Sequence, residues 1–261
     1  MSPLAQPEPR LVSKSGTSNG SLLADEATIA HRPPARPSEA PSAARAAAND
    51  SLFDRFAWLY VFFREKVFRD DTDRIANALW PEGSPAPGAE LLELGCGPGF
   101  YSCGLAARFP TISVLGVDCS AQQLACAKRK ASAMQLENCV FERDNVLDLT
   151  HGVESVDAVI AARLFTVLPN RERAIAEMFR VLRSGGRCVI AEPRYAFWAS
   201  LPLFAMWVFA SLTCVNNGYR EPAKATVLAP AEFKRLFATQ PWQRVRTWCD
   251  GRYQYALCEK G

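Results

Sequence analysis

The sequence predicts an α/β fold: a mostly parallel sheet with helices on both faces, closed by a C-terminal antiparallel hairpin. Three observations carry this. Short apolar runs at residues 91–94, 112–117, 140–141, 156–161 and 188–191 alternate with stretches of helical period. A glycine-rich turn follows the first run and precedes a helix, the arrangement of ligand-binding α/β sheets. Residues 245–249 and 253–258 flank Asp250-Gly251, a dipeptide suited to a tight hairpin turn.

Residues 1–49 differ in kind from the rest. They hold seven Pro, eleven Ala and no aromatic residue. Such a stretch buries too little apolar surface to offset its ordering entropy, so a disordered tail is expected. Pro3, Pro7, Glu8 and Pro9 interrupt any secretory signal pattern. A single folded domain is expected over 50–261. It begins with a helical cap over 51–80, where Leu52, Phe56, Leu59, Tyr60, Phe63 and Val67 recur at helical spacing. Pro81, Pro85, Pro87 and Gly88 mark a loop before the first strand.

Beyond that strand, helical periods are clearest at 122–134 and 171–183, the second stopped by Gly185-Gly186 in the left-handed manner. Strands buried on both faces read as near-continuous apolar runs, as these do. Pro230 opens a short helix over 233–237, and the hairpin follows.

Composition bounds the function classes. Lys plus Arg number 30 and Asp plus Glu 27, a net charge of +3 that gives no argument for nucleic acid as a partner. The nine cysteines are scattered without C-x-x-C spacing, so neither a disulfide framework nor a metal site is expected. Reduced cysteines inside strands behave as small hydrophobes, and a cytoplasmic location is the simplest expectation.

The informative segment runs Glu93-Leu94-Gly95-Cys96-Gly97-Pro98-Gly99-Phe100. Glycines there let the chain turn sharply and bring its backbone against a ligand. A nicotinamide fingerprint G-x-G-x-x-G requires glycine where this chain has Phe100. Pro98 removes one N–H from any phosphate cradle, and Glu93 suits a ligand bearing an ammonium. S-adenosylmethionine, with an ammonium, a sulfonium and no phosphate, fits better. Asp118, with Cys119 beside it, ends the second strand, where a carboxylate accepts ribose hydroxyls; it could equally cap the next helix beside Ser120. Asp144 and Asn145 follow the third strand and could meet an adenine edge, or simply occupy a solvated turn.

With these motifs in order, the chain resembles class I S-adenosylmethionine-dependent methyltransferases, in the branch similar to ubiquinone/menaquinone C-methyltransferases. Residues 93–99 resemble that family's glycine motif, Gly116-Val117-Asp118 its ribose motif and Arg143-Asp144-Asn145 its adenine motif. Residues 155–159 resemble its fourth strand and 177–193 its E-M-x-R-V-L-x-x-G-G-R segment. The resemblance covers about residues 51 to 193 well and the hairpin loosely. It implies a Rossmann-like sheet of seven strands with one reversed, and S-adenosylmethionine as cofactor, held by Glu93, Gly95, Cys96, Gly97, Gly99, Asp118, Asp144 and Asn145, with Cys119 and Arg163 as further cofactor candidates by their position.

The acceptor is less visible. A sulfonium is already an activated leaving group, so alignment and exclusion of water matter more than acid–base machinery. His31 lies in the tail and His151 in an expected surface loop, so neither is a good base. Arg163, after the fourth strand, could bind the acceptor or the donor's carboxylate, or simply face solvent. Glu192 and Tyr195, after the fifth strand, are candidate acceptor contacts, and Arg163 and Glu192 the only weak catalytic candidates.

Between Arg194 and Arg220 no residue is charged, and bulky apolar side chains crowd together. The length suffices for a membrane span, but the flanking strands must join one sheet and Pro202 interrupts the run. The favoured reading is an apolar lid over 195–229, with Tyr60, Phe204, Trp207 and Tyr219 framing a small, largely apolar acceptor. A membrane-surface contact through 195–217, a dimer contact or plain packing are its competitors. The leading function is a methyltransferase acting on a quinone, polyketide or lipid-like acceptor; a non-catalytic S-adenosylmethionine-binding partner is disfavoured by the intact motif set, and a nicotinamide oxidoreductase by Phe100 and Glu93.

Overall fold

The computed structural model describes residues 69–196, Ser200, Phe204 and 226–261. The expected tail, the first part of the helical cap with Tyr60, and Trp207 and Tyr219 of the expected lid lie outside the described residues. In chain order the elements are α1 (Thr72–Leu79), β1 (Glu90–Leu94), α2 (Phe100–Arg108), β2 (Ser113–Asp118), α3 (Ala121–Ala133), β3 (Cys139–Arg143) and β4 (Val156–Ala162). Then follow α4 (Arg171–Val181), β5 (Leu182–Pro193), α5 (Pro230–Leu236), a 3-10 turn (Phe237–Thr239), β6 (Arg244–Asp250) and β7 (Tyr253–Glu259).

Seven strands form one sheet in the order β3-β2-β1-β4-β5-β7-β6. The first five are parallel, and β7 runs antiparallel to both β5 and β6. This is the expected fold class. Leu92 and Leu94 of β1 and Val159 of β4 sink into one core with Ala174, Ile175 and Met178 of α4. Leu91 and Ile160 face the opposite core, with Leu105 of α2 and Ile75 of α1. Helices thus cover both faces, which is why these strands are apolar on successive residues rather than alternating. The order reverses between β1 and β4, and the crevice at their carboxyl ends is where such sheets bind ligands.

One expectation is corrected. α4 ends at Val181, with Leu182 already extended, rather than at Gly185-Gly186. The glycine pair lies within β5, at the register shift between Val156 and Ala158. Gly185 does take the left-handed φ of +78°, but there it lets the strand bend. A Cβ on Gly186 would lie 2.8 Å from the carbonyls of Arg183 and Asp157. The helix end is satisfied instead by Lys260, whose Nζ donates to the carbonyls of Phe179 and Leu182 at 3.0 and 2.7 Å. A cation there also complements the helix dipole.

Candidate cofactor and acceptor site

The glycine turn is built as the sequence requires. Gly95, Gly97 and Gly99 all have positive φ, at +65°, +52° and +73°. A Cβ on Gly99 would lie 2.6 Å from the Phe141 ring and 2.9 Å from Ala127, so only glycine lets α2 start against β3 and α3. A Cβ on Gly95 would strike Leu164, the second residue beyond β4. Gly95 and Gly97 are partly open while Cys96, Pro98 and Gly99 are buried, so the backbone itself is the presented surface. Burial pushes the Cys96 thiol well above its ordinary range, consistent with a small apolar filler.

Glu93 lies under this turn, buried. Its Oε2 accepts the main-chain N–H of Ser102 at 2.7 Å and also the Ser102 hydroxyl. Its visible task is to fix the first turn of α2 against β1. Ser102 was not singled out by the sequence. Its signal is a small hydroxyl residue one turn into the helix that follows a glycine loop.

Asp118 does two jobs at once. Its Oδ2 accepts from the N–H of Gly97 at 2.8 Å, and its Oδ1 from the N–H of Ser120 at 2.9 Å. The carboxylate therefore couples the glycine turn to the start of α3, whose cap is Ser120. The capping reading of Asp118 is thus met through the Ser120 N–H, at the strand end where a ribose carboxylate is expected. Cys119 is exposed beside it.

Asp144 and Asn145 lie after β3, but their side chains close a loop. Asp144 accepts from the N–H groups of Asn145 and Thr150 and from the Thr150 hydroxyl at 2.7, 3.1 and 3.0 Å. Asn145 Oδ1 accepts from the Leu147 N–H at 3.0 Å. The Asp144 side chain is only 6% exposed, so a solvated turn is the wrong description. His151 is part-buried, with Nδ1 3.4 Å from Asp144.

On the other side of the switch point, Arg163 follows β4 with a left-handed φ of +60°. That conformation costs a non-glycine residue about 1–2 kcal/mol. It is held by its N–H on the carbonyl of Ala191 at 2.8 Å and by Nη1 on the Tyr253 hydroxyl at 3.0 Å. Arg163 therefore does not simply face solvent. The backbone it turns then aims N–H groups at Glu192, whose Oε1 accepts from Phe165 at 2.8 Å. Glu192 is 2% exposed, and its Oε2 has no hydrogen-bond partner. Burial raises its carboxyl to about 7, against the opposing pull of the Phe165 N–H, of Arg163 and of the Leu164 and Thr166 N–H groups.

Residues from distant parts of the chain complete this side. Gln254 stands opposite Glu192 in the β5–β7 register. Tyr255 donates its hydroxyl to the buried Asp71 at 2.9 Å, stacks on Trp248 and accepts from Arg69. None of these had a local motif to reveal it. Tyr195 and Phe204, at the start of the uncharged segment, are 50% and 58% exposed.

The residues present fit S-adenosylmethionine. Gly95 and Gly97 leave main chain partly open at the turn, and the flanking carboxylates suit a cation and hydroxyls while opposing a phosphate. Among the described residues no group of His, Cys, Asp and Glu could hold a metal ion, and no helix is long and apolar enough to cross a membrane.

Comparison with known proteins agrees with this geometry. The chain is 38% identical over 128 residues to trans-aconitate 2-methyltransferase of Deinococcus radiodurans, covering 49% of this chain and 46% of that protein. It is 38% identical over 111 residues to demethylmenaquinone methyltransferase of Thermus thermophilus, covering 41% and 50%. The chain thus spans about half the length of these curated relatives. Geranyl diphosphate C-methyltransferase of Streptomyces coelicolor, solved with S-adenosylhomocysteine, shares the fold at a TM-score of 0.52 and 18% identity, over 72% of this chain and 76% of that one. A family model described as a methyltransferase domain matches residues 85–240, from before β1 to just past the 3-10 turn beyond α5, and the chain belongs to that family.

Proposed function

We propose that this chain transfers the methyl group of S-adenosylmethionine to a small, largely apolar acceptor of the quinone, polyketide or lipid-like kind. The observation that carries it is the joint at the sheet's switch point, where Asp118 at the end of β2 locks the glycine turn to α3, the place from which a carboxylate meets ribose hydroxyls. Glu93 contributes by setting the turn, Gly95 and Gly97 present backbone to the methionine end, and Asp144 and Asn145 shape the loop beside the adenine. The sulfonium supplies an activated methyl group, so the protein's work is alignment and exclusion of water.

The apolar character of the acceptor is supported by the uncharged run between Arg194 and Arg220 and by the exposed Tyr195 and Phe204 at its start. The relatives named for a quinone and for geranyl diphosphate support it too. Residues 195–229 are read as the lid over that acceptor in a cytoplasmic protein, and peripheral membrane contact through 195–217 is the competing reading. Phe100, in place of a third fingerprint glycine, speaks against a nicotinamide. Incubating the protein with methyl-labelled S-adenosylmethionine and a lipid and small-molecule extract should label an apolar product and release S-adenosylhomocysteine. Cofactor binding without S-adenosylhomocysteine release would instead make it a non-catalytic binding partner. A labelled product confined to the polar fraction would overturn the acceptor class.

A further inference from the structure

Two acceptor atoms at the carboxyl end of β5 are buried and have no donor. Glu192 Oε2 is one, and Gln254 Oε1, on the facing β7, is the other. Neither can turn to help itself. Glu192 is fixed by the Phe165 N–H on its Oε1, and Gln254 by its Nε2 on the carbonyl of Leu228 at 2.9 Å. The two residues are directly paired across the strands, which sets their side chains on the same sheet face about 5 Å apart at Cβ. A buried acceptor without a donor costs roughly 1–3 kcal/mol. Both residues lie at the carboxyl end of the sheet, the rim where a ligand is expected, and each has an oxygen that would accept a donor from it.

We propose that Glu192 is the proton-accepting residue of methyl transfer, and that Glu192 Oε2 and Gln254 Oε1 together grip a hydroxyl or amine hydrogen of the acceptor. This rests on the methyltransferase reading above and extends it to the acceptor class: an apolar body bearing one O–H or N–H donor, as in a phenol or hydroquinone. As the acceptor's oxygen or nitrogen bonds to the methyl carbon, the carbon–sulfur bond breaks and its electron pair stays on sulfur as a neutral thioether. The proton lost by the acceptor passes to Oε2, and from there to solvent after product leaves. A base serves best when its proton affinity lies near the working pH, which the burial of Glu192 provides.

The charged neighbours leave that role open. Arg163 is the cation acting on Glu192. Arg171 of α4 is engaged with the carbonyls of Phe165 and Thr226, and Glu232 of α5 accepts the Ala229 N–H. The competing explanation is a proton held permanently between Glu192 and Gln254 as a structural bond.

Glu192→Gln separates the two. Its amide can accept from Phe165 and donate to Gln254, so a purely structural role survives it and a proton-accepting role does not. The full chain, loaded with S-adenosylhomocysteine, is titrated by calorimetry with naphthol and with naphthol methyl ether, probes that differ only in the donor. At about pH 8.5 the native protein should prefer naphthol by about tenfold, the value of a hydrogen bond to a charged acceptor. The preference should vanish in Glu192→Gln while affinity for S-adenosylhomocysteine is unchanged. If that variant loses the cofactor, Glu192→Asp, which keeps the acid, should retain part of the preference. Equal binding of the two probes by the native protein, or a preference that survives in Glu192→Gln, overturns the assignment. Failure of both probes to bind overturns the apolar acceptor, and this assignment falls with it.

Discussion

The two halves of the sheet's carboxyl edge are built on opposite plans. On the β3-β2-β1 side each acid is committed to nearby backbone or hydroxyl: Glu93 to Ser102, Asp118 to Gly97 and Ser120, Asp144 to Asn145 and Thr150. On the β4-β5-β7 side, Glu192 and Gln254 each keep an oxygen in reserve. The first plan makes a rigid seat for a ligand of constant shape. The second keeps polar groups unspent, which a protein tolerates only where a ligand repays them. A cofactor-binding half and an acceptor-binding half would differ in this way.

The sharpest break of that comparison uses glycine. Gly99→Val places a branched side chain at φ +73° against Phe141 and Ala127. Left-handed strain and overpacking together should cost about 4 kcal/mol and abolish cofactor binding. Gly185→Ala has the same hand of φ but nothing within 4 Å of the new Cβ, and should cost only about 1 kcal/mol. Denaturant unfolding of both variants measures the gap. Equal losses would mean that the glycine turn is not the tightly packed seat described above.

The second effect is one of pH, and it contrasts two buried glutamates. Glu177 takes charge-assisted bonds from Arg180 and the Leu149 N–H, which hold its carboxyl below the ordinary range. Its stabilisation is present above the unfolded pKa and is lost as pH falls through the lowered one. Glu192 is raised from 4.5 to about 7. The folded state therefore holds an extra proton between those values, and stability declines as pH rises through that window. The full cost of ionising Glu192 is about 3 kcal/mol. Glu192→Gln should accordingly gain on the native protein by up to that amount between about pH 4.5 and about pH 7.5. Parallel unfolding free energies across the window would show that Glu192 is already paired.

Much of the first half was legible in the sequence, and little of the second. The glycine turn, Asp118 and Asp144 sit within a few residues of strand ends, so their spacing alone locates them. Five strands were legible for the same reason, since apolar runs between helical periods declare themselves locally, and the last two from the Asp250-Gly251 turn. What Asp144 does was not legible, because a loop's hydrogen bonds are a tertiary outcome. Nor was Gln254, which meets Glu192 only through the register of a reversed strand 62 residues away. Gly185-Gly186 misled because a left-handed glycine after a helical period reads as a helix stop, whereas Lys260 had already closed that end.

A smaller effect bears on the cofactor directly. Asp118→Asn replaces one accepting oxygen by an NH2 that would face the N–H of Gly97 or of Ser120. Losing one charge-assisted contact at the ribose, with a loosened turn, should weaken S-adenosylmethionine binding by about 2 kcal/mol, or roughly thirtyfold. Calorimetry on the folded variant decides it. An unchanged affinity would remove Asp118 from the ribose site and leave it a brace between the turn and α3.

The smallest effect separates the brace from the seat. Ser120 caps α3 by accepting the Gln123 N–H at 3.3 Å, and its own N–H is what Asp118 Oδ1 receives. Ser120→Ala removes the hydroxyl and keeps the N–H. Loss of the cap should lower stability by about 1 kcal/mol, the usual value for such a residue. Asp118 retains both main-chain contacts in this variant, so its carboxylate should stay where it is. Cofactor affinity should then change by less than about twofold, since no partner of the ligand has moved. Thermal unfolding and a cofactor titration on one preparation give both numbers. A drop in affinity as large as that of Asp118→Asn would mean that cap and carboxylate act as a unit. The donor half would then owe its fit to the whole α3 entrance rather than to one acid.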